Sequence, residues 1–184
     1  MAWTTPRTWT DGELLTKAIM DPHVRDNLNF LRNITKSMFV FAGYASGAGV
    51  VLHDTGGAGG QAASRLVDAA ENALQFNVAL PAEFQSITKA AIVGAALGTG
   101  NIRRIISSVA RAEGEDYSLG GGSGVSTSKS VTANLVFEDD VDAALIAVWA
   151  AGDYVSVEYR RYGAHVNDTV NADVLIFGLI VEWA

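Results

Sequence analysis

Two segments near the carboxyl end constrain the fold most. In Tyr154-Val-Ser-Val-Glu-Tyr-Arg-Arg-Tyr162, Val155, Val157 and Tyr159 point one way while Ser156, Glu158 and Arg160 point the other, the period of a strand with one wet face. Val174-Leu-Ile-Phe-Gly-Leu-Ile-Val181 is instead apolar on both faces. That suits a strand covered on one side by a second sheet and on the other by a neighbouring subunit.

The rest of the chain after Ser37 fits the same reading. Short apolar or alternating runs punctuated by Gly, Asn and Asp describe an all-β sandwich or barrel. The expected strands are Met38 to Gly43, Gly49 to His53, Leu74 to Leu80, Ser86 to Ala96, Arg103 to Ala112, Ser130 to Phe137, Ala144 to Ala150, Asp153 to Tyr162 and Asp173 to Trp183. Gly56-Gly-Ala-Gly-Gly60 and Gly120-Gly-Gly-Ser-Gly124 read as loops or tips. Ala62 to Glu71 reads as a short helix, though its alanines tolerate a strand. Trp149 and Trp183 fall in apolar runs and read as core or interface residues.

Ahead of the strands, Asp21-Pro22 is a helix-start signal, with Asp at the cap and Pro at the first helical position. Val24, Leu28 and Leu31 then recur at spacings of four and three, one stripe of a helix ending at about residue 33 to 36. Leu14, Leu15, Ala18 and Ile19 fit a separate helical turn that the Asp-Pro step breaks. Residues 1 to 12, rich in Thr, read as extended, and Trp3, Pro6 and Trp9 stand there with almost no other apolar neighbours. Two indoles without a local core need something else to bury them, and another chain is the natural candidate. The expected organisation is therefore an anchoring arm and helix over 1–36 and a sandwich over 37–184.

Composition removes several function classes. The 184 residues suit one domain plus an appendage, and no apolar run reaches the length of a membrane helix, so neither a two-domain enzyme nor a membrane partner is expected. The amino terminus carries neither a secretory nor a transit pattern, and synthesis in a cytoplasm is expected. The absence of cysteine excludes disulfides and thiolate chemistry. Thirteen basic against 20 acidic residues give a net charge of −7, which opposes a nucleic-acid partner. The one basic cluster, Arg103-Arg104 with Arg111, reads as a solvated sheet face.

No set of residues makes a convincing catalytic constellation. Gly94-Ala-Ala-Leu-Gly-Thr-Gly-Asn101 lacks the Lys-Ser/Thr ending of a phosphate loop and reads as a turn between strands. Glu138-Asp-Asp-Val-Asp142 offers oxygens to calcium but lacks the twelve-residue loop pattern, so a solvated acidic turn is expected and no cofactor. The three histidines have no metal-ligand spacing. His165 and Asp168 lie in a polar loop between two good strands and could orient a nucleophile, but no Gly-x-Ser-x-Gly elbow completes the set. The favoured reading is a hairpin loop in which Asp168 and Thr169 bond their own backbone; the rival reading, a binding module, makes Arg161, His165 and Asp168 a recognition loop.

The opening Trp3-Thr-Thr-Pro-Arg-Thr-Trp-Thr-Asp-Gly-Glu13, with Val24-Arg-Asp-Asn-Leu28 and Leu31, resembles the start of many virion structural proteins of tailed bacteriophages. Leu80-Pro-Ala-Glu-Phe84, Gly152-Asp-Tyr-Val155, Asp168-Thr169 and the closing Gly178-Leu-Ile-Val-Glu-Trp183 extend the resemblance over nearly the whole chain. It departs at Asp21-Pro22, where related openings usually carry Asn without a following proline, which argues against one continuous helix. The group spans decoration proteins, head fibres and receptor-binding tail proteins.

The resemblance implies a mainly β protein, a jelly-roll-like antiparallel sandwich in the manner of tumour necrosis factor domains, preceded by an extended arm and a short helix. It further implies a non-enzymatic virion protein, self-associating as a homotrimer and fixed to capsid or tail. Trp3, Pro6 and Trp9 would anchor the arm to other virion proteins, and Val24, Leu28 and Leu31 would pack the oligomer. The alternative is a receptor- or carbohydrate-binding module of a fibre or tail tip, with a host surface receptor as partner.

Overall fold

The computed structural model describes residues 5, 8, 16–26, 28, 35–47, 51–54, 62–116 and 123–184. The chain divides into two compact units, Met1–Lys36 with Ala184, and Ser37–Trp183.

In the first unit, α1 (Lys17–Met20) runs directly into a π-helical turn over Asp21–Arg25. The Asp-Pro step was expected to separate two helical pieces, and here the helix passes through it. Pro22 has no N–H to donate to the preceding turn, and the chain accommodates that gap by widening, so that Asp26 N–H reaches Asp21 C=O, five residues back. Asp21 makes no side-chain cap. It pairs with Arg25 at 3.0 Å, which also pairs with Asp26 at 2.8 Å. Leu28 is exposed, and Trp3, Pro6, Trp9 and Leu31 lie outside the described residues.

The second unit is a sandwich of two antiparallel sheets, as the alternation predicted. One sheet has the order β3 (Val51–Asp54), β4 (Ala62–Leu66), β11 (Val174–Trp183), β6 (Ile87–Ala96), β9 (Val136–Asp140), and β1 (Lys36–Val40) also pairs with β11. The other runs β2 (Tyr44–Gly47), β5 (Glu71–Ala79), β10 (Tyr154–Tyr162), β7 (Gly100–Arg111), β8 (Ser123–Val131). Leu66, Leu74, Phe76, Ile92, Ile102, Ile106, Val155, Val157, Ile176 and Leu179 fill the space between them, and Trp149 and Trp183 are buried at its margin.

Local expectations are settled or overturned for identifiable reasons. Of the two readings open for 62–71, Ala62–Leu66 takes the strand, because antiparallel pairing with β11 in register Val174↔Leu66 satisfies its backbone. Ala143–Ile146 is a short helix (α2) rather than a strand. Its start is capped by Asp142, whose carboxylate accepts from Ala144 N–H at 2.8 Å. The expected strand Ser130 to Phe137 is divided between β8 and β9 by a turn at Asn134, which adopts a left-handed φ of 62°.

The acidic run was expected as a solvated turn, yet most of it is β9, which sends Asp139 into the sandwich and Glu138 and Asp140 outward. Arg104, also expected on a wet face, enters the same interior. Its Nε donates to Asp139 Oδ2 at 2.6 Å and its Nη1 to Thr127 Oγ1. Two charges far apart in sequence thus neutralise each other across the sheets, which is what permits their burial. Near this pair the Tyr159 hydroxyl is fully buried and without a hydrogen-bond partner. Desolvation, with the Asp139 carboxylate adding to it, holds its pKa well above the ordinary tyrosine value.

Gly178 shows how tightly β1 lies on β11. A Cβ there would stand 2.6 Å from the Phe39 ring and from Val40 C=O, beside a register shift between Ile176 and Gly178.

Candidate functional site

The outer face of the five-stranded sheet is where polar and aromatic groups converge. Residues directly opposite in antiparallel strands share a face, so the register defines its rows. Tyr44 stands opposite Gln75, Gln75 opposite Glu158, and Glu158 opposite Ser107. The next row holds Ala73, Arg160 and Ile105. On the other side come Asn77, Ser156 and Val109, then Ala79, Tyr154 and Arg111. Small side chains in the central strands keep the floor low between the longer ones.

Arg160 organises this face. Its Nη1 donates to Glu71 Oε1 at 2.8 Å, and its Nε donates to Glu158 Oε1 at 3.0 Å. Desolvation works against its charge, but the Glu71 and Glu158 carboxylates outweigh that and raise its pKa. The result is a fixed line of carboxylate, guanidinium and carboxylate beside the amides of Gln75 and Asn77. Both carboxylates accept from one guanidinium, an arrangement suited to holding hydroxyl groups in place.

Two tyrosines share this face, open to solvent, Tyr44 57% exposed in the row of Glu158 and Tyr154 61% exposed on the side of that row away from Arg160. Tyr154 lies four residues along β10 from Glu158, and Tyr44 lies two strands away from β10. At ordinary sheet spacings the two Cα atoms are about 17 Å apart. Aromatic platforms at that separation, with hydrogen-bonding groups between them, match an extended ligand that has both apolar and hydroxylated faces.

The expected recognition loop behaves differently. Arg161 is fully buried, with Nη2 donating to Asp168 Oδ1 at 2.9 Å and to Val170 C=O at 2.7 Å, and Nη1 donating to Ala172 C=O at 2.9 Å. The Asp168 side chain is buried with it. Asp168 Oδ2 accepts from Arg103 N–H at 3.0 Å, and Thr169 Oγ1 accepts from Asn101 N–H at 2.8 Å. Both residues therefore bond the backbone of β7 rather than their own. His165 remains exposed at the tip, where its Nδ1 accepts from Asn167 N–H at 3.0 Å. Arg161 and Asp168 hold the loop from beneath, and neither presents a polar group to a ligand. The His165 imidazole and the Asp168 carboxylate have separate partners, so the pairing that would orient a nucleophile is not formed.

Among the described residues no group of three His, Cys, Asp or Glu could hold a metal ion. Asp139 is committed to Arg104, Asp142 to α2, and Glu138 to Lys89 at 2.5 Å.

Sequence reasoning placed Glu158 and Arg160 on a wet face but assigned them no role. The missed signal was the pairing of a central Arg with carboxylates on one face of an alternating strand. Tyr44 carried no such signal, because β2 is four residues long beside glycines.

No protein-family model matches the chain, and no curated protein sequence matches it. Among solved structures the chain is similar to TmCBM61 in complex with β-1,4-galactotriose, at TM-score 0.44 and 13% identity over 77% of this chain and 88% of that one. It is similar to the family 11 carbohydrate-binding module of the cellulase Lic26A-Cel5E of Clostridium thermocellum, at TM-score 0.42 and 10% identity over 82% and 88%. It is also similar to the xylan-binding module CBM15, at TM-score 0.40 and 14% identity over 82% and 98%. These likenesses concern the fold alone.

Proposed function

We propose that this chain is a non-catalytic carbohydrate-recognition module of a tailed-phage virion, with the outer face of the five-stranded sheet as its ligand surface. One observation carries the reading: exposed Tyr44 and Tyr154 share a single sheet face with a Glu71–Arg160–Glu158 cluster, which continues the row of Tyr44 on the side away from Tyr154. Sugar rings offer apolar C–H faces to stack on the tyrosines and hydroxyls to bond the amides, carboxylates and guanidinium. The length of the face suits an oligosaccharide rather than a monosaccharide.

The virion assignment rests on the opening Trp3 to Glu13 pattern and the Val24-to-Leu31 element. In this reading Trp3, Pro6 and Trp9 dock the module on capsid or tail, and the sandwich meets a host surface glycan. Several copies on one particle multiply a weak individual contact.

The test is binding of the full chain to an array of bacterial surface oligosaccharides, compared with Tyr154→Ala and Arg160→Ala. Binding by the parent that both variants lose, with unchanged circular dichroism, supports the proposal. No binding, or binding that both variants retain, rejects it. Particle attachment is tested separately: removal of residues 1–12 should abolish decoration of particles while leaving glycan binding intact.

A further inference from the structure

The outer face of the six-stranded sheet has the opposite character. Val136 lies opposite Ala95, and Ala95 opposite Leu175. Val93 faces Gly178, and Ala91 faces Ile180. Phe39 and Phe41 extend this surface beyond β11 and meet edge-to-face at 5.4 Å. With Phe177 and Ala62 they line a shallow pocket of about 260 Å³. Phe39 is 45% exposed, Phe41 64% and Val136 66%, so the strip is open to solvent in the isolated chain. Leu97 and Leu135, both exposed, continue it past the end of β6, where Asn134 N–H bonds Ala96 C=O.

We infer that this apolar face is covered by a second copy of the chain. The two phenylalanines leave about 220 Å² in water, and Val136, Leu97 and Leu135 leave about as much again. With the partly open Val93, Phe177 and Ile180, one copy presents roughly 500 Å² of apolar surface, near the upper range for a monomer. Two copies sharing it bury about 1,000 Å², the lower bound for a specific interface.

The charges lie at the two ends of this strip. Arg65, paired with Asp173 at 2.7 Å, marks the end at Leu175, while Glu138, paired with Lys89, gathers with Asp140 and Glu182 toward the other. A partner turned end for end brings the apolar middles together and leaves these charged groups at the rim. The inference puts self-association on the sandwich and requires nothing of Val24, Leu28 or Leu31. It is also independent of the glycan reading, because the two faces lie on opposite sides of the sandwich.

Sedimentation equilibrium of the full chain over a concentration series tests it, alongside the single variants Phe41→Lys and Val136→Lys. Both positions are exposed, so folding should survive, which circular dichroism checks. The expected result is a concentration-dependent mass above the monomer, with each variant weakening association by about tenfold or more. A monomeric parent at every concentration overturns the inference, as do variants that associate like the parent. A Trp3→Ala/Trp9→Ala double variant that dissociates as Phe41→Lys does would assign the face to the arm and overturn it as well.

Discussion

Replacing Arg161 with Met should be the most damaging single change in the sandwich. The new side chain fills similar space but removes every bond the guanidinium makes: two to Asp168 at 2.9 and 3.1 Å, one each to Val170, Ala172 and Leu66 carbonyls at 2.7, 2.9 and 3.3 Å, and a longer one to Asp68 Oδ1 at 3.4 Å. The Asp168 carboxylate is then left buried without its ionic partner. Breaking a buried pair in this way costs about 3–5 kcal/mol, a large part of the roughly 5–15 kcal/mol that holds a domain folded. Urea denaturation should show a loss of about 4 kcal/mol, and the melting temperature should fall by roughly 8–16 °C. Replacing Asp168 with Asn in the same chain should cost less than the two single changes added together, because the second removes a charge the first had stranded. A loss below about 1 kcal/mol for Arg161→Met, or strict additivity of the pair, would refute the argument that this ion pair fixes the loop between β10 and β11.

Further outcomes follow from other contacts. Tyr159 has its pKa raised by burial, so above about pH 10 the unfolded chain releases a proton that the folded chain keeps, and stability should fall by about 1.4 kcal/mol per pH unit. Tyr159→Phe should remove that slope and leave stability at neutral pH unchanged or higher, because the hydroxyl has no partner; denaturation at pH 7 and pH 11 checks both parts. Gly178→Val should force β1 away from β11 and cost about 1–3 kcal/mol by overpacking, measurable in urea, whereas an unchanged midpoint would contradict the close approach of Phe39. Asp142→Ala should lose about 1 kcal/mol as α2 loses its cap, with glycan binding unaffected.

The readable parts of the sequence were those whose neighbours impose a simple period. Strand β10 alternates because one face meets the core and the other meets water, and β11 is apolar throughout because it runs through the middle of its sheet. The same parity separates Arg160 from Arg161: with Val155, Val157 and Tyr159 inward, Arg161 must also point inward, and its place in a recognition loop conflicted with that alternation. Strand β9 was hidden because Glu138-Asp-Asp140 reads as a solvated turn until Arg104, thirty-five residues earlier, arrives from the other sheet to neutralise Asp139. Strand β4 was hidden because Ala62-Ala-Ser-Arg-Leu66 carries no period, and only pairing with β11 decides it. The ligand face could not be assembled from sequence, since Tyr44, Gln75, Glu158 and Arg160 come from three strands that only the register brings side by side.

The most direct measurement is a titration of isotope-labelled protein with the best-binding array oligosaccharide, followed by backbone amide resonances. Shifts concentrated on Tyr44, Gln75, Asn77, Tyr154, Glu158 and Arg160 are the predicted result. Shifts confined to the six-stranded sheet or to the loop around His165, with this face silent, would contradict it.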